Sequence, residues 1–261
     1  MLGAIVGDII GSRFEWHNIK NKDFTLFTEK CFPTDDSIMT IAVAKALLEK
    51  DKNSLSKLAI KYMQSFGRRY PHAGYGMRFA DWLCQDDPKP YNSFGNGAAM
   101  RVSPCAYAAS SLEEALSFAK QVTQVSHNHA EGIKGAEALT AATYMAINGS
   151  SIEKIKSAIE KDYYKIDFTL DEIRPSYVFD ESCQGTVPQA LAAFFESASF
   201  EDAVRNAISL GGDSDTIACI TAAVAGAYYG IPIYIRKTAL KYLDKHLKKT
   251  LFEFEDRFLQ V

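Results

Sequence analysis

The sequence predicts an all-α fold, and three observations predict it. Apolar residues recur at three- and four-residue spacing in segments from one end of the chain to the other. Strand-like alternation is confined to two short stretches. Glycine and proline gather in three loops, at 70–76, 86–97 and 174–188.

The elements follow in chain order. Residues 1–16 (MLGAIVGDIIGSRFEW) are apolar, but Asp8 interrupts them and no basic run precedes them, so they do not read as a secretory leader. The spacing predicts helices over 37–50, 112–125, 132–148 and 152–162, the first with a lysine-rich C-terminal end that suits the helix dipole. Residues 163–170 alternate briefly as a strand does, and 176–179 is a second candidate for extended chain. A helix over 187–197 places Pro188 in its first turn, where a missing N–H is harmless. Ser199-Phe200-Glu201-Asp202 has the form of a capping box opening a helix over 200–210. Residues 216–235 carry no charge for about one membrane span, but Ala, Gly and Thr dominate and Gly230-Ile231-Pro232 stops the helix. A buried central helix ending near Gly230 is expected there. The last segment, 237–259, is expected to be one amphipathic outer helix, basic in its first half.

Composition bounds what this helical chain can do. Its 261 residues are 47% hydrophobic and 23% charged, which excludes a disordered or fibrous chain. There is no internal repeat, low-complexity tract or linker-like shift, so a single compact domain over 1–261 is expected. Lys and Arg number 29 against 32 Asp and Glu, a net charge of -3 that gives no basis for holding nucleic acid or an anionic membrane by charge alone. Cys31, Cys84, Cys105, Cys183 and Cys219 are scattered, without a CxxC pair. That pattern fits reduced thiols in a cytoplasmic protein, not a disulfide framework or a thiolate zinc site.

Two acidic clusters carry the chemistry. Thr34-Asp35-Asp36-Ser37 follows Pro33 at a predicted helix start, and Gly211-Gly212-Asp213-Ser214-Asp215-Thr216 opens the uncharged helix. One carboxylate at a helix start is explained as a cap. A second beside it is not, because like charges repel and a buried carboxylate must be neutralised. Two oxygen-rich clusters are what hard cations such as Mg²⁺ or Mn²⁺ require. Two independently capped helices remain the alternative. A third feature, residues 92–101 (NSFGNGAAMR), lets backbone approach a ligand closely and cradle phosphate oxygens, although it would also serve as a plain turn. Gly74-Tyr75-Gly76 and Ser126-His127-Asn128-His129 read as a bend and a loop.

Taken in order, these segments resemble the ADP-ribosylglycohydrolase family, which includes the dinitrogenase-reductase-activating glycohydrolase. The resemblance is carried by residues 7–15 (GDIIGSRFE), 34–37 (TDDS), 74–76 (GYG), 93–101 (SFGNGAAMR), 126–129 (SHNH), 183–188 (CQGTVP) and 211–216 (GGDSDT). It implies an all-α fold with a binuclear Mg²⁺ or Mn²⁺ centre at the bottom of a cleft. On that resemblance, Thr34, Asp35 and Asp36 ligate from one helix start, and Asp213, Asp215 and Thr216 from the other. Ser93, Phe94, Gly95, Asn96 and Gly97 form the loop that holds the diphosphate of ADP-ribose. Gly74, Tyr75 and Gly76 line the ribose, and His127 contacts the distal ribose or the diphosphate. Glu15 lies near the scissile bond, and Glu15, Asp35 or Asp36 assists proton transfer. Two departures are visible: Ser37 stands where relatives often have Thr, and Ala98 where Gly is also seen.

The activity so implied is hydrolysis of the glycosidic bond joining ADP-ribose to a modified protein side chain, arginine (N-linked) first. The partner is then an ADP-ribosylated protein and the product ADP-ribose. O-linked (serine) or other ADP-ribose adducts are the alternative substrates, and a non-catalytic ADP-ribose- or metal-binding relative is the alternative class.

Overall fold

The computed structural model describes residues 1–259, and almost all of its regular structure is helical. In chain order the helices are α1 (Leu2–Gly11), α2 (Asp35–Leu48), α3 (Leu55–Arg69), α4 (Met77–Cys84), α5 (Gly97–Met100) and α6 (Ser103–Ala108). They continue as α7 (Leu112–Thr123), α8 (Ala130–Ile147), α9 (Ile152–Asp162), α10 (Leu170–Ile173), α11 (Cys183–Phe195) and α12 (Phe200–Ser209). The last three are α13 (Ser214–Tyr228), α14 (Ile233–Ala239) and α15 (Lys245–Phe258). Pairing between strands is limited, among the described residues, to one isolated antiparallel bridge between Gly95 and Ser182.

The most extensive helix–helix interface joins α1 to α13. Gly3, Gly7 and Gly11 fall four residues apart on α1 and so share one face. A Cβ on Gly3 or Gly7 would collide with the backbone carbonyl of Ala222 or Ala218, and one on Gly11 would stand 2.6 Å from the Asp215 Cα. The two helices therefore meet backbone to backbone. Around this pair, α2 packs on α1 while α8, α11 and α12 enclose α13; α3, α6 and α15 cover α2, and α7 and α9 cover α8. Ser214 through Ala225 of α13 are all buried. A hydroxyl there needs an internal partner, and Thr221 Oγ1 donates to the Ala190 carbonyl at 2.8 Å. No helix among the described residues is long and apolar enough to cross a membrane.

Four expectations are corrected. Residues 163–170 form no strand, although their alternation is real: Tyr164, Ile166 and Leu170 point into the core while Lys165, Asp167 and Thr169 are exposed. That backbone has no neighbouring strand, and Thr169 instead caps α10 in a reciprocal box with Glu172. Ser176–Phe179 likewise forms no strand. The helix expected from 187 begins at Cys183, capped by the Ser182 hydroxyl, so Pro188 lies inside it. The carbonyl that loses its helical partner belongs to Gln184, an exposed residue. Finally, 237–259 is not one helix: a 3₁₀ turn at Leu240–Tyr242 precedes a new start, where Asp244 Oδ1 accepts from the Leu247 N–H at 2.9 Å.

Ser199 caps α12 as expected, accepting from the Asp202 N–H at 3.1 Å, but the Asp202 carboxylate returns to the Ala198 N–H instead of that of Ser199.

The close approach of α1 and α13 makes a prediction whose sign is unusual. Alanine in place of glycine inside a helix ordinarily stabilises by about 0.5–1 kcal/mol. Gly7→Ala should instead destabilise by about 2 kcal/mol, because the added methyl forces the helices apart. Urea unfolding of the two proteins checks this, and a gain in stability for the variant contradicts the backbone contact.

Candidate active site

The α1–α13 contact carries Asp8 to the start of α2. Asp8 is fully buried, and its carboxylate accepts four hydrogen bonds from that helix start. Thr34 gives its N–H at 3.0 Å and its hydroxyl at 2.6 Å; Ser37 gives its N–H at 3.1 Å and its hydroxyl in a short contact. These bonds favour the carboxylate form, yet burial outweighs them and lifts the Asp8 pKa to about 6. Thr34 is the N-cap of α2, accepting from the Asp36 N–H at 3.3 Å. Asp35 and Asp36 are thus the first two residues of the helix, where its dipole favours negative charge.

The start of α13 is built by a tighter turn. Gly211 and Gly212 both adopt φ of +69°, which a side chain would oppose. Asn18 clamps this turn: its Nδ2 donates to the Gly212 carbonyl at 2.9 Å and its Oδ1 accepts from the Gly212 N–H at 2.7 Å. The same Nδ2 donates to the carbonyls of Phe14 (2.7 Å) and Glu15 (3.0 Å), which fixes the segment carrying Glu15 against Asp213. Thr216 Oγ1 donates to Asp36 Oδ2 at 3.2 Å and so joins two helix starts 180 residues apart.

The result is one nest of carboxylates. Asp8, Asp36 and Asp215 bring one oxygen each within 4.8 Å of one another, as do Glu15, Asp213 and Asp215, so Asp215 is shared. The ion pairs of the described residues lie elsewhere, as in Lys22–Asp202, Arg205–Glu201 and Arg236–Glu255. Burial first and neighbouring acids second push Asp36 and Asp215 well above the usual carboxylate range. Half-buried Asp35 is raised by desolvation and by Asp8, Asp213 and Glu15. The Glu15 carboxyl is lifted to about 7 by burial, Asp213 and Asp8. Asp213 is raised less, because hydrogen bonds including one from Asn96 Nδ2 at 2.7 Å offset its burial.

These acids fit a hard divalent cation. Asp36 Oδ1 and Asp215 Oδ1 are buried and have no hydrogen-bond partner in the protein, a state that costs free energy unless something positive meets them. Asp8 differs: both of its oxygens are occupied by donors on α2, so it holds the helix start in place.

The segment 92–97 reaches the nest through Asn96. The bridge to Ser182 is extended by the Asn96 N–H on the Glu181 carbonyl (2.7 Å) and the Cys183 N–H on the Phe94 carbonyl (2.8 Å). Ser93 Oγ accepts from the Gly95 N–H at 3.1 Å. The amides of Gly95 and Asn96 are therefore engaged internally, and the Asn96 side chain is committed to Asp213 and Thr186. Phe94 is 46% exposed and meets the His129 ring edge-on. His127 is buried with Nε2 toward the loop, 3.3 Å and 3.7 Å from where Cβ atoms on Gly97 and Gly95 would stand. Gly74 faces Asp35, a Cβ there falling 3.6 Å from its Oδ1. The Tyr75 hydroxyl is buried without a partner, and Gly76 is the N-cap of α4.

The family model described as ADP-ribosylglycohydrolase matches residues 1–261. The chain belongs to that family. It is 27% identical to ADP-ribosylhydrolase ARH3 of Homo sapiens, covering 88% of this chain and 84% of the relative. It is also 27% identical to ADP-ribosylarginine hydrolase Tri1 of Pseudomonas putida (strain GB-1), over 100% of this chain and 78% of that protein. The fold matches a solved "ADP-ribosylglycohydrolase-related protein complex" with a TM-score of 0.71 at 23% identity, covering 97% of this chain and 94% of the other. Membership assigns the chain to a family of glycohydrolases.

Within this glycohydrolase fold, Thr34, Asp36, Asp213, Asp215 and Thr216 gather at one point with Glu15 beside them. Asp35 lies outside both carboxylate groups, toward Gly74. Sequence reasoning missed three contributors: the α1 glycines, Asp8 as the anchor of α2, and Asn18. The four-residue glycine spacing was a readable signal; Asn18 offered none, because the Gly212 turn it clamps lies 194 residues away. It also missed an aromatic pair at Glu15. Trp16, 73% exposed, stacks on Phe179 with centroids 5.4 Å apart and planes 17° apart.

Asn18→Ala should cost about 1–3 kcal/mol by removing the clamp and, by freeing Glu15, lower the turnover of any catalysed reaction by about 10–100-fold. Divalent-cation binding, measured by calorimetry, should weaken as well, because the same side chain clamps the turn that opens α13 beside Asp213. Unchanged stability, turnover and cation binding contradict the clamp.

Proposed function

We propose that the protein is a divalent-metal-dependent hydrolase of ADP-ribose adducts, acting first on arginine-linked ADP-ribose in a modified protein. The observation that carries this reading is the meeting of two acidic helix starts, each with an unpartnered buried carboxylate oxygen, opposite a glycine-rich loop. Thr34, Asp35, Asp36, Asp213, Asp215 and Thr216 are assigned to two Mg²⁺ or Mn²⁺ ions. When bound, such cations supply positive charge that orients sugar hydroxyls and water.

The chain's own residues do the rest. Residues 93–97 receive the diphosphate through the loop amides not already engaged and through His127. Gly74, Tyr75 and Gly76 line the ribose next to Asp35. Burial and the neighbouring acids Asp213 and Asp8 raise the Glu15 carboxyl to about 7, toward the range in which a carboxyl serves as a general acid–base group. It is therefore suited to move a proton at its carboxyl oxygen to the leaving nitrogen or from water, while nearby carboxylates stabilise oxocarbenium character at the anomeric carbon.

Arginine as the first acceptor is supported by the relative whose name specifies that linkage. It is also supported by the exposed Trp16–Phe179 stack beside Glu15, an aromatic face suited to a guanidinium. O-linked adducts are the second reading, since the ARH3 relatives' name specifies no linkage. The connected core supports 1–261 as one domain, and five free cysteines support a reducing, cytoplasmic setting.

Incubation with arginine-, serine- and nucleic-acid-linked ADP-ribose, with Mg²⁺ or with EDTA, should release free ADP-ribose from the arginine adduct only when Mg²⁺ is present. Release undiminished in EDTA contradicts the metal assignment, and no release from any adduct favours a binding protein. Glu15→Gln should lower the rate by about 10²–10⁴-fold while ADP-ribose still binds.

Metal binding has its own readout. Mg²⁺ at about 100 times its Kd should stabilise the fold by about 2.7 kcal/mol, seen as a rise in Tm. Asp36→Asn and Asp215→Asn should abolish that rise.

A further inference from the structure

Arg101 is an unusual residue to find at the centre of a protein. It caps the C-terminal end of α5 and its side chain is fully buried. It lies over the face of Phe79, 5.3 Å from the ring centroid. Among the described residues it has no carboxylate partner, and its Nε and Nη1 are unpaired. Its polar contacts run through Nη2 alone: 2.8 Å to Ser126 Oγ and 3.4 Å to His127 Nδ1. Ser126 Oγ is in turn 2.8 Å from His127 Nδ1.

The direction of these bonds follows from what each group can do. A guanidinium only donates, so Ser126 Oγ accepts from Arg101. That hydroxyl has one hydrogen, and the near acceptor for it is Nδ1. A proton on Nδ1 would face the Arg101 Nη2 donor and leave the Ser126 hydroxyl hydrogen without an acceptor. Nδ1 is therefore the acceptor, and the imidazole hydrogen sits on Nε2, the atom that looks onto Gly95 and Gly97. The other groups around the ring agree with a neutral imidazole. They are the cations Arg101 and Arg78 and the rings of Phe79 and Tyr91, with no acid to favour imidazolium.

We infer that Arg101 and Ser126 are positioning residues that hold His127 as the neutral, Nε2-protonated tautomer and so present a fixed N–H to an anionic oxygen in the 93–97 loop. That the anion is the diphosphate of ADP-ribose rests on the function proposed above; the tautomer does not. Because the amides of Gly95 and Asn96 are already engaged, this N–H is a principal donor left to the loop. A histidine at its ordinary pKa would change charge near neutrality, whereas this one donates the same bond on either side of it.

Long-range ¹H–¹⁵N spectra of histidine-labelled protein, with the His127 signals identified from their loss in His127→Gln, test the inference without ligand. Wild type should show Nε2 protonated and Nδ1 bare at pH 7. Ser126→Ala should populate the Nδ1-protonated form and weaken ADP-ribose binding about tenfold, as expected for one lost hydrogen bond to a charged group. Ser126→Thr should restore both. A wild-type Nδ1–H or imidazolium signal at pH 7 overturns the inference, as does a folded Ser126→Ala protein with unchanged tautomer and affinity. Correct tautomers in a protein that binds no ADP-ribose would instead overturn the proposed function and leave the positioning role standing.

Discussion

The contact between α1 and α13 is the constraint on which the site depends. Two helices packed through ordinary side chains lie about 8–10 Å apart. Gly3, Gly7 and Gly11 remove the side chains from one face and let α13 settle against α1 backbone to backbone. Gly11 meets Asp215 itself, so the closeness of the two helices is also the closeness of Asp8 to Asp215. Asp8 then collects α2 through Thr34 and Ser37, and α2 brings Asp36. A wider separation at the glycines would propagate directly into the spacing of the carboxylates.

Such an arrangement is not one that folding favours by itself. Asp8, Asp36 and Asp215 are buried together, and burial and mutual repulsion drive their pKa values upward. What offsets that cost is the large apolar surround. The rest of α13 and nearly all of α1 are sunk in the connected core. The polar links are concentrated on Asp8, which accepts four bonds, while Asp36 and Asp215 each keep an oxygen free of the protein. The acid satisfied within the protein and the two that are not are thereby distinguishable by their hydrogen bonding, although all three are buried carboxylates at helix ends.

Much of this was legible in the sequence, and the reasons for the rest are physical. The uncharged segment was readable as a buried helix because its ends are marked, by Asp213 at one and Gly230 at the other. The acidic clusters were readable because paired like charges at a helix start are costly without a partner. Residues 163–170 misled because burial alternates there without any pairing of the backbone. Pro188 misled because a helix tolerates proline where the orphaned carbonyl belongs to an exposed residue, and the starting signal, Ser182, lay outside the periodic run. Asn18 and the Thr216–Asp36 bond join segments far apart in the chain, and no local pattern announces such contacts.

The site that results has two electrostatic sides. On the α2 and α13 side, carboxylates gather and favour cations. On the 93–97 side, a buried guanidinium and a hydroxyl are spent on holding a neutral imidazole, and the imidazole Nε2–H is the donor left to the loop. Asn96 sits at the seam: its side chain donates to Asp213 while its backbone N–H binds Glu181, so it ties the donor wall to the acid wall. An anionic group is favoured on the donor side and repelled by the unpartnered oxygens of Asp36 and Asp215, and repulsion of that kind in a low-dielectric interior is strong.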